Sequence, residues 1–382
     1  MMKIVIAPDS YKESLSAAGV ARAIEQGFRE IFPDAEYVSV PVADGGEGTV
    51  DAMVSATQGR KMSTEVTGPL GRPVTASWGI SGDGNTAFIE MAEASGLALV
   101  PLNERNPKIT TSFGTGELLL DALDKGVRHF IIGIGGSATN DGGAGLVQAL
   151  GARLCDAAGN EIGFGGASLG ALNSIDISGL DPRLAECDIH VACDVTNPLT
   201  GDSGASRIFG PQKGADEAAI AELDACLAHY GEIIKKALGV DVRETPGAGA
   251  AGGMGAALMA FLGADLRSGI EIVMEALNLE EHINNCTLVV TGEGRMDSQS
   301  IRGKVPVGVA AAASKYRKPV IGIAGSLTHD VGVVHQHGID AVFSVLNRVG
   351  TLDEALRDAY ENIVCTARNV AATLAIGMKA GR

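Results

Sequence analysis

The chain has 382 residues, of which 46% are hydrophobic and 20% charged, with a formal net charge of −16. That length suits two domains at roughly 150 residues each. The acidic balance and the lack of any long Lys/Arg run argue against nucleic acid as a partner, since like charges repel at long range. Glycine is abundant at 52 residues, with 13 prolines and no Gly-X-Y period, the mark of many tight strand-to-helix turns. Aromatics make up 4%, so the cores are expected to be built from Ala, Val, Ile and Leu. The six cysteines are scattered without a C-x-x-C pair, as in buried small hydrophobes of a reduced compartment. The opening Met1-Met2-Lys3 leads into a four-residue apolar run and then Pro8-Asp9, which is no signal peptide. The segment 246–264 is uncharged and nearly long enough for a bilayer, but it begins with Pro and is dense in Gly. It reads as a loop feeding a soluble helix, and a cytoplasmic protein with no membrane partner is expected.

In chain order, Ile4-Val5-Ile6 is a β-branched strand ending at Asp9. A helix follows, capped by Ser14 or Ser16, with Val20, Ile24, Phe28 and Ile31 at helical spacing and a stop before Pro33. Residues 37–42 form a second strand, and Asp44-Gly45-Gly46-Glu47-Gly48-Thr49 turns into a second helix. Between about Thr64 and Glu90 the rhythm changes to short strands broken by Gly and Pro, an antiparallel excursion, with Trp78 read as core. Residues 116–125 read as a helix closed by Gly126, followed by strands at 129–134 and 189–193. A long helix runs over 216–238, capped by Asp216 and stopped by Gly239. Strands at 288–291, 320–324 and 341–345 restore the βα rhythm, and a final helix aligns Leu356, Ala359, Ile363, Ala367, Val370 and Leu374. The pattern predicts an α/β protein. A Rossmann/flavodoxin-like three-layer parallel-sheet domain is built from both chain ends (residues 1–65 plus 287–382). Residues 66–286 form an inserted second α/β domain of mixed sheet, with the active site in the cleft between the two domains.

Chemistry collects where strands run out into Gly-rich turns carrying acids. Five such turns hold Asp9; Asp44 and Glu47; Asn140 and Asp141; Asp194; and Glu293 and Asp297. Ligands of open α/β sheets bind beyond the carboxyl ends of strands, where backbone N–H groups can approach phosphate oxygens. Acids beside such amides would repel a phosphate unless a cation lies between, so the combination points to a nucleotide with Mg²⁺ and to phosphoryl transfer. Asp and Asn also serve as plain turn and cap residues, so the set does not say which acid is catalytic. Gly133-Ile-Gly135-Gly-Ser-Ala138 with Asp156 about twenty residues on also fits a dinucleotide fingerprint, which keeps a nicotinamide-dependent hydroxy-acid oxidoreductase as an alternative. Gly247-Ala-Gly249-Ala-Ala-Gly252 fits the same pattern but follows no strand. The only Gly-Lys, Gly303-Lys304, is no P-loop, and H-E-x-x-H, G-x-S-x-G and protein-kinase motifs are absent. His335 and His337 read as solvent-facing polar residues.

Six blocks in order resemble the bacterial-type glycerate kinases across nearly the whole chain. They are Ile6-Ala7-Pro8-Asp9-Ser10-Tyr11-Lys12, Pro41-Val-Ala-Asp44-Gly-Gly-Glu47-Gly-Thr49, and Gly133-Ile-Gly-Gly-Ser-Ala-Thr-Asn140-Asp141-Gly-Gly-Ala-Gly145. Cys193-Asp194-Val-Thr-Asn197-Pro198-Leu-Thr-Gly201, Gly249-Ala-Ala-Gly-Gly-Met-Gly255 and Thr291-Gly-Glu293-Gly-Arg295-Met-Asp297 complete the set. The one departure is Lys12-Glu13 where Lys-Gly is the family pattern. The resemblance implies ATP- and Mg²⁺-dependent phosphorylation of D-glycerate, in the degradation of glyoxylate and sugar diacids. It further implies the 2-hydroxyl as acceptor, with a 3-phosphoglycerate-forming enzyme as the alternative. A sugar-acid sensor without turnover is a more distant reading.

On that resemblance, Asp194 is expected to act as general base, because it follows its strand directly. Asp297 and Asp44 would hold Mg²⁺, with the roles of Asp194 and Asp297 interchangeable at this stage. Arg295 would clamp the glycerate carboxylate, and Lys12 and Lys304 would neutralise the moving phosphoryl. The turn around Gly135, Gly136, Ser137, Asn140 and Asp141 is expected to bind the nucleotide. Arg295 and Lys304 are also the residue types of plain surface ion pairs.

Overall fold

The computed structural model describes residues 2–46, 48–301 and 303–380. In chain order its strands are β1 (Lys3–Pro8), β2 (Glu36–Ser39), β3 (Arg60–Thr67), β4 (Pro73–Ile80) and β5 (Thr86–Glu90). Next come β6 (His129–Gly133), β7 (Arg153–Cys155), β8 (Ser174–Asp176), β9 (Asp188–Ala192) and β10 (Asp265–Arg267). The last are β11 (Leu288–Gly292), β12 (Arg295–Met296), β13 (Val320–Ala324), β14 (Ser326–Leu327) and β15 (Ala341–Ser344).

The chain divides into two compact units. One comprises Met1–Asp44, Asp51–Gln58 and Ile270–Arg382, and the other Gly45–Val50 with Gly59–Gly269. The main joints thus fall at 58/59 and 269/270 rather than at 65/66 and 286/287, for two physical reasons. β3 pairs antiparallel with β4 from Arg60 onward, which draws it wholly into the second unit. The helix Leu279–Asn284 packs on the helix Val305–Lys315, which places it in the first.

The first unit is a five-stranded parallel sheet in the order β15-β13-β11-β1-β2. Counted within the unit this is the flavodoxin-like order, with the switch point between β1 and β11. β11 and β13 are buried along their full length, as strands covered on both faces must be. Ile4, Ile6, Leu288 and Val290 pack with Val20, Ile24 and Phe28 of the helix Ala17–Arg29 and with Ile363, Ala367 and Val370 of the helix Ala359–Ala380. The helix Val305–Lys315 packs on β1, β11 and β13. Ser16, rather than Ser14, caps the first helix, its Oγ accepting from Gly19 N at 3.2 Å, while Ser14 Oγ donates to the Leu356 carbonyl at 3.0 Å. The apolar stripe read as one C-terminal helix is two, because Leu356 belongs to the short helix Leu352–Arg357 with its own capping box at Thr351 and Glu354.

The second unit is a six-stranded mixed sheet ordered β10-β9-β6-β5-β4-β3. β10, β9, β6 and β5 run parallel, and β4 and β3 add the antiparallel excursion. Trp78 is fully buried, its indole N–H donating to Asp121 Oδ2 at 2.8 Å. The helix Phe113–Asp124 starts three residues earlier than the sequence pattern placed it. Asp216 and Gly239 bound the helix Glu217–Leu238 as read, the Asp216 carboxylate accepting from Ala219 N at 2.8 Å. The uncharged segment becomes a turn and the helix Ala250–Leu262, and among the described residues no helix is long and apolar enough to cross a membrane. The hairpin β7–β8 and the two-residue pair β12–β14 went unread, being too short to show a period.

Close packing of the two terminal helices of the first unit rests on Gly27, where a Cβ would stand 2.4 Å from the Val364 carbonyl oxygen. Gly27→Ala is expected to destabilise the protein by about 1–3 kcal/mol, read as a lower midpoint in urea. An unchanged midpoint would mean the helices can part at no cost.

Candidate active site

In the first unit, the carboxyl ends of β1 and β11 meet at the switch point. Asp9 follows β1, and its backbone N–H donates to the Gly292 carbonyl at 2.8 Å. Its Oδ1 accepts from Ser10 N at 2.6 Å. Burial, together with the charges of Asp44 and Glu293, pushes the Asp9 carboxyl up to about 7. Glu293, 6% exposed, accepts from the Ser300 hydroxyl and pairs with Lys304 Nζ at 3.3 Å. Asp297 accepts from Gln299 N at 2.8 Å and pairs with Arg295 Nε at 3.2 Å. Arg295 is exposed, and the backbone of the exposed Lys12 runs beside Gly294, where a Cβ would lie 3.5 Å from Lys12 N. Behind them the fully buried Tyr11 hydroxyl donates to the Ile323 carbonyl at 2.7 Å, tying the loop after β1 to β13.

Thus Asp44, Arg295, Asp297, Lys304 and Lys12 belong to one neighbourhood, and Asp9, Glu293 and Ser300 join it. Asp9 and Glu293 stood among the strand-end acids but had no role assigned, since sequence order does not show that they share a site. Glu47 lies outside the described residues. Among the described residues no three His, Cys, Asp or Glu side chains form a cage for a metal ion. Two hard carboxylate oxygens without a cage are what Mg²⁺ uses when phosphates and water complete its shell.

In the second unit, β6 runs into the turn 134–143. Gly135 and Gly136 are exposed at its head, Gly136 with φ of +74°. Asn140 and Asp141, expected beside the nucleotide, are fully buried and hold the turn instead. Asp141 accepts from Ser112 N and Oγ at 2.8 Å each, from Gly143 N at 3.1 Å and from Gly145 N at 3.3 Å. Burial pushes its carboxyl up against the pull of these bonds. Asn140 Nδ2 donates to Ser206 Oγ at 2.9 Å, while Asn140 Oδ1 and Thr139 Oγ1 are buried with no partner among the described residues. Asp194 follows β9 and is exposed, with Oδ1 accepting from Gly269 N at 3.2 Å.

Asp156 is half-buried and accepts from Ala158 N at 2.8 Å and Asn160 N at 3.0 Å, closing a turn between β7 and β8. A dinucleotide fingerprint needs that acid about twenty residues on, at the ribose, so the oxidoreductase reading loses its second element. The residue sequence reasoning missed is Lys213. It lies 1% exposed in the turn Pro211–Lys213, with Nζ donating to Ser137 Oγ at 2.7 Å and to the Thr139 carbonyl at 2.6 Å. Its only signal was a lysine set between Gly210-Pro-Gln and Gly214.

Burial pushes the Lys213 ammonium down to about 7, opposed by the Asp141 carboxylate. An unfolded lysine keeps its proton to about 10.4. The charged form is therefore disfavoured by folding, a cost fully present below pH 7 that fades as pH rises toward the unfolded value. The difference in melting temperature between Lys213→Met and the parent should accordingly fall between about pH 6.5 and about pH 9.5. A difference that stays flat with pH would contradict the buried ammonium.

The glycerate kinase family model matches residues 4–375 of this chain. The chain is 77% identical over 378 residues to the Glycerate 2-kinase of Escherichia coli (strain K12), covering 99% of each. It is 57% identical to the Glycerate kinase of Bacillus subtilis (strain 168), with 98% of each covered. A crystal structure from Salmonella typhimurium LT2, described as a glycerate kinase 2, matches with a TM-score of 0.93 at 64% identity over 99% of each chain. Full-length matches in sequence and in fold, together with acids and glycines at the strand ends of both units, place this chain in the glycerate kinase family.

Proposed function

We propose that this protein transfers the γ-phosphoryl of ATP to the 2-hydroxyl of D-glycerate, giving 2-phosphoglycerate and ADP. The observation that carries this reading is the full-length similarity to a protein named Glycerate 2-kinase. ATP as donor follows from membership in a kinase family. The cysteines, all free, suit a cytoplasmic enzyme.

The residues divide the work by their chemistry. Asp194, exposed at the end of β9, takes the proton of the acceptor hydroxyl as its oxygen bonds to the γ-phosphorus. The bond from that phosphorus to the β–γ bridging oxygen breaks in the same step, and ADP leaves. Amides of Gly135, Gly136 and Ser137 cradle phosphate oxygens, because a glycine-rich turn lets the backbone come close. Asp297 and Asp44 would hold Mg²⁺, which would offset charge between the acids and the phosphates. Arg295 offers a planar fork for the glycerate carboxylate, leaving its pairing with Asp297 as the substrate enters. Lys12 and Lys304 offset the charge of the phosphoryl in transfer. Lys304 is already drawn toward this neighbourhood by Glu293.

The test is a phosphorus NMR time course with ATP, Mg²⁺ and D-glycerate. A new phosphomonoester coupled to a single CH proton is expected. A CH₂ coupling pattern would move the acceptor to the 3-hydroxyl, and no phosphoester from folded, ATP-binding protein would refute the assignment. Asp194→Asn should lower kcat by about 10²–10⁴-fold with folding intact. Chelating the divalent cation should abolish turnover, and Asp297→Asn should raise the Mg²⁺ concentration needed for half-maximal rate. A normal Mg²⁺ requirement in that variant would remove Asp297 from the metal site.

A further inference from the structure

Lys213 is a charge in an expensive place. It is 1% exposed, and its ammonium reaches two oxygen dipoles, Ser137 Oγ at 2.7 Å and the Thr139 carbonyl at 2.6 Å, rather than a carboxylate. A buried lysine without an ion pair is among the costlier side chains a core can carry. Both acceptors belong to one turn, the one whose head presents Gly135 and Gly136. The Thr139 carbonyl is also hemmed in from another segment, since a Cβ on Gly252 would fall 2.0 Å from it. That segment is itself bent to fit, with Ala251, Gly252 and Gly253 all in the left-handed region. Gly252 in turn accepts from Gly142 N at 3.0 Å, so the turn is gripped at both its middle and its end.

We propose that Lys213 is the positioning residue of the nucleotide-phosphate cradle. It fixes the Ser137 side chain and the Thr139 carbonyl from the buried side, so the Gly135–Ser137 amides are held ready for phosphate oxygens. Its N–H engages a lone pair of Ser137 Oγ, which leaves the Ser137 O–H to serve as a donor. While protonated, below about pH 7, the ammonium also places positive charge behind the amides, where burial keeps water from screening it. Because it does not reach the surface, Lys213 acts through the turn and touches neither substrate. The inference rests on the assignment of this turn to ATP under the glycerate kinase reading.

The experiment compares the parent with Lys213→Met and Ser137→Ala, measuring kcat, the KM for ATP, the KM for D-glycerate and the Kd for ATP without glycerate. Lys213→Met should raise the KM and Kd for ATP by about tenfold or more, as expected for losing a charge-assisted pair. The KM for D-glycerate should stay unchanged. Ser137→Ala, which removes one of the two acceptors, should move the same constants in the same direction and by less. In Lys213→Ala, added methylammonium should bring the KM for ATP back toward the parent value. A fall in melting temperature with ATP constants unchanged would make Lys213 merely structural and overturn the proposal. An effect on the KM for D-glycerate alone would overturn it too, by taking the turn away from the nucleotide. If Lys213→Met does not fold, Ser137→Ala decides, and unchanged ATP constants there overturn the proposal. A parent that binds ATP in a Lys213-dependent way yet leaves D-glycerate unphosphorylated would sink the substrate assignment while upholding the role of Lys213.

Discussion

A strand buried on both faces can carry almost no polar side chain along its length, and the rest of this molecule follows from that restriction. β11 is buried at every residue, and β1 is buried from Ile4 to Pro8. Whatever is charged must wait until the strand ends. It does so at once, with Asp9 after β1 and Glu293 after β11, where the covered strands give way to turns. The parallel order of the sheet sends both of those ends to the same edge. Chemistry is gathered by exclusion from the core before any residue is selected for catalysis.

Gathering acids carries a cost, and the structure shows how it is contained. In the first unit, Glu293 is met by Lys304 and Ser300, and Asp297 by Arg295 and a backbone amide. Asp9 is left with its carboxyl pushed up to about 7 by burial and by its acidic neighbours. The second unit takes the opposite course. There Asp141 is sealed inside and spends its lone pairs on Ser112 and on the amides of Gly143 and Gly145, while Lys213 supports the same turn from the buried side. One unit leaves the cationic partners of its acids, Arg295 and Lys304, open to solvent, where ligands can exchange with ion pairs. The other buries its charges to make a loop stiff.

Much of this was legible in the residues, for reasons that can be named. The β-branched runs at Ile4–Ile6 and Leu288–Thr291 announce buried strands, and Asp216 with Gly239 brackets a helix by cap chemistry alone. The discontinuity of the first unit left a trace in the sequence because the βα rhythm breaks near Thr64 and resumes near Leu288. What stayed hidden depends on distance through space. Asn140 and Asp141 look like ligand contacts in sequence, since a polar run after a strand gives no sign of which side chains turn inward. The partnership of Asp9, Asp44 and Glu293 joins three separate stretches of chain. Lys213 sits 76 residues from Ser137, with no periodicity to connect them.

The pairing at the heart of the first unit spans almost the entire chain, with Thr291 Oγ1 donating to the Ala7 carbonyl at 2.8 Å across 284 residues. On the ribosome, β1 and β2 therefore emerge long before their central neighbour exists. All six strands of the second unit's sheet are made in the interval, so that unit can close first and hold the early strands in waiting. A chain that stops before β11 would be left with an apolar, β-branched strand whose edge has no partner, a template for aggregation. Biogenesis of this fold is thus gated by its last hundred or so residues, and loop closure over such a span makes the final step slow.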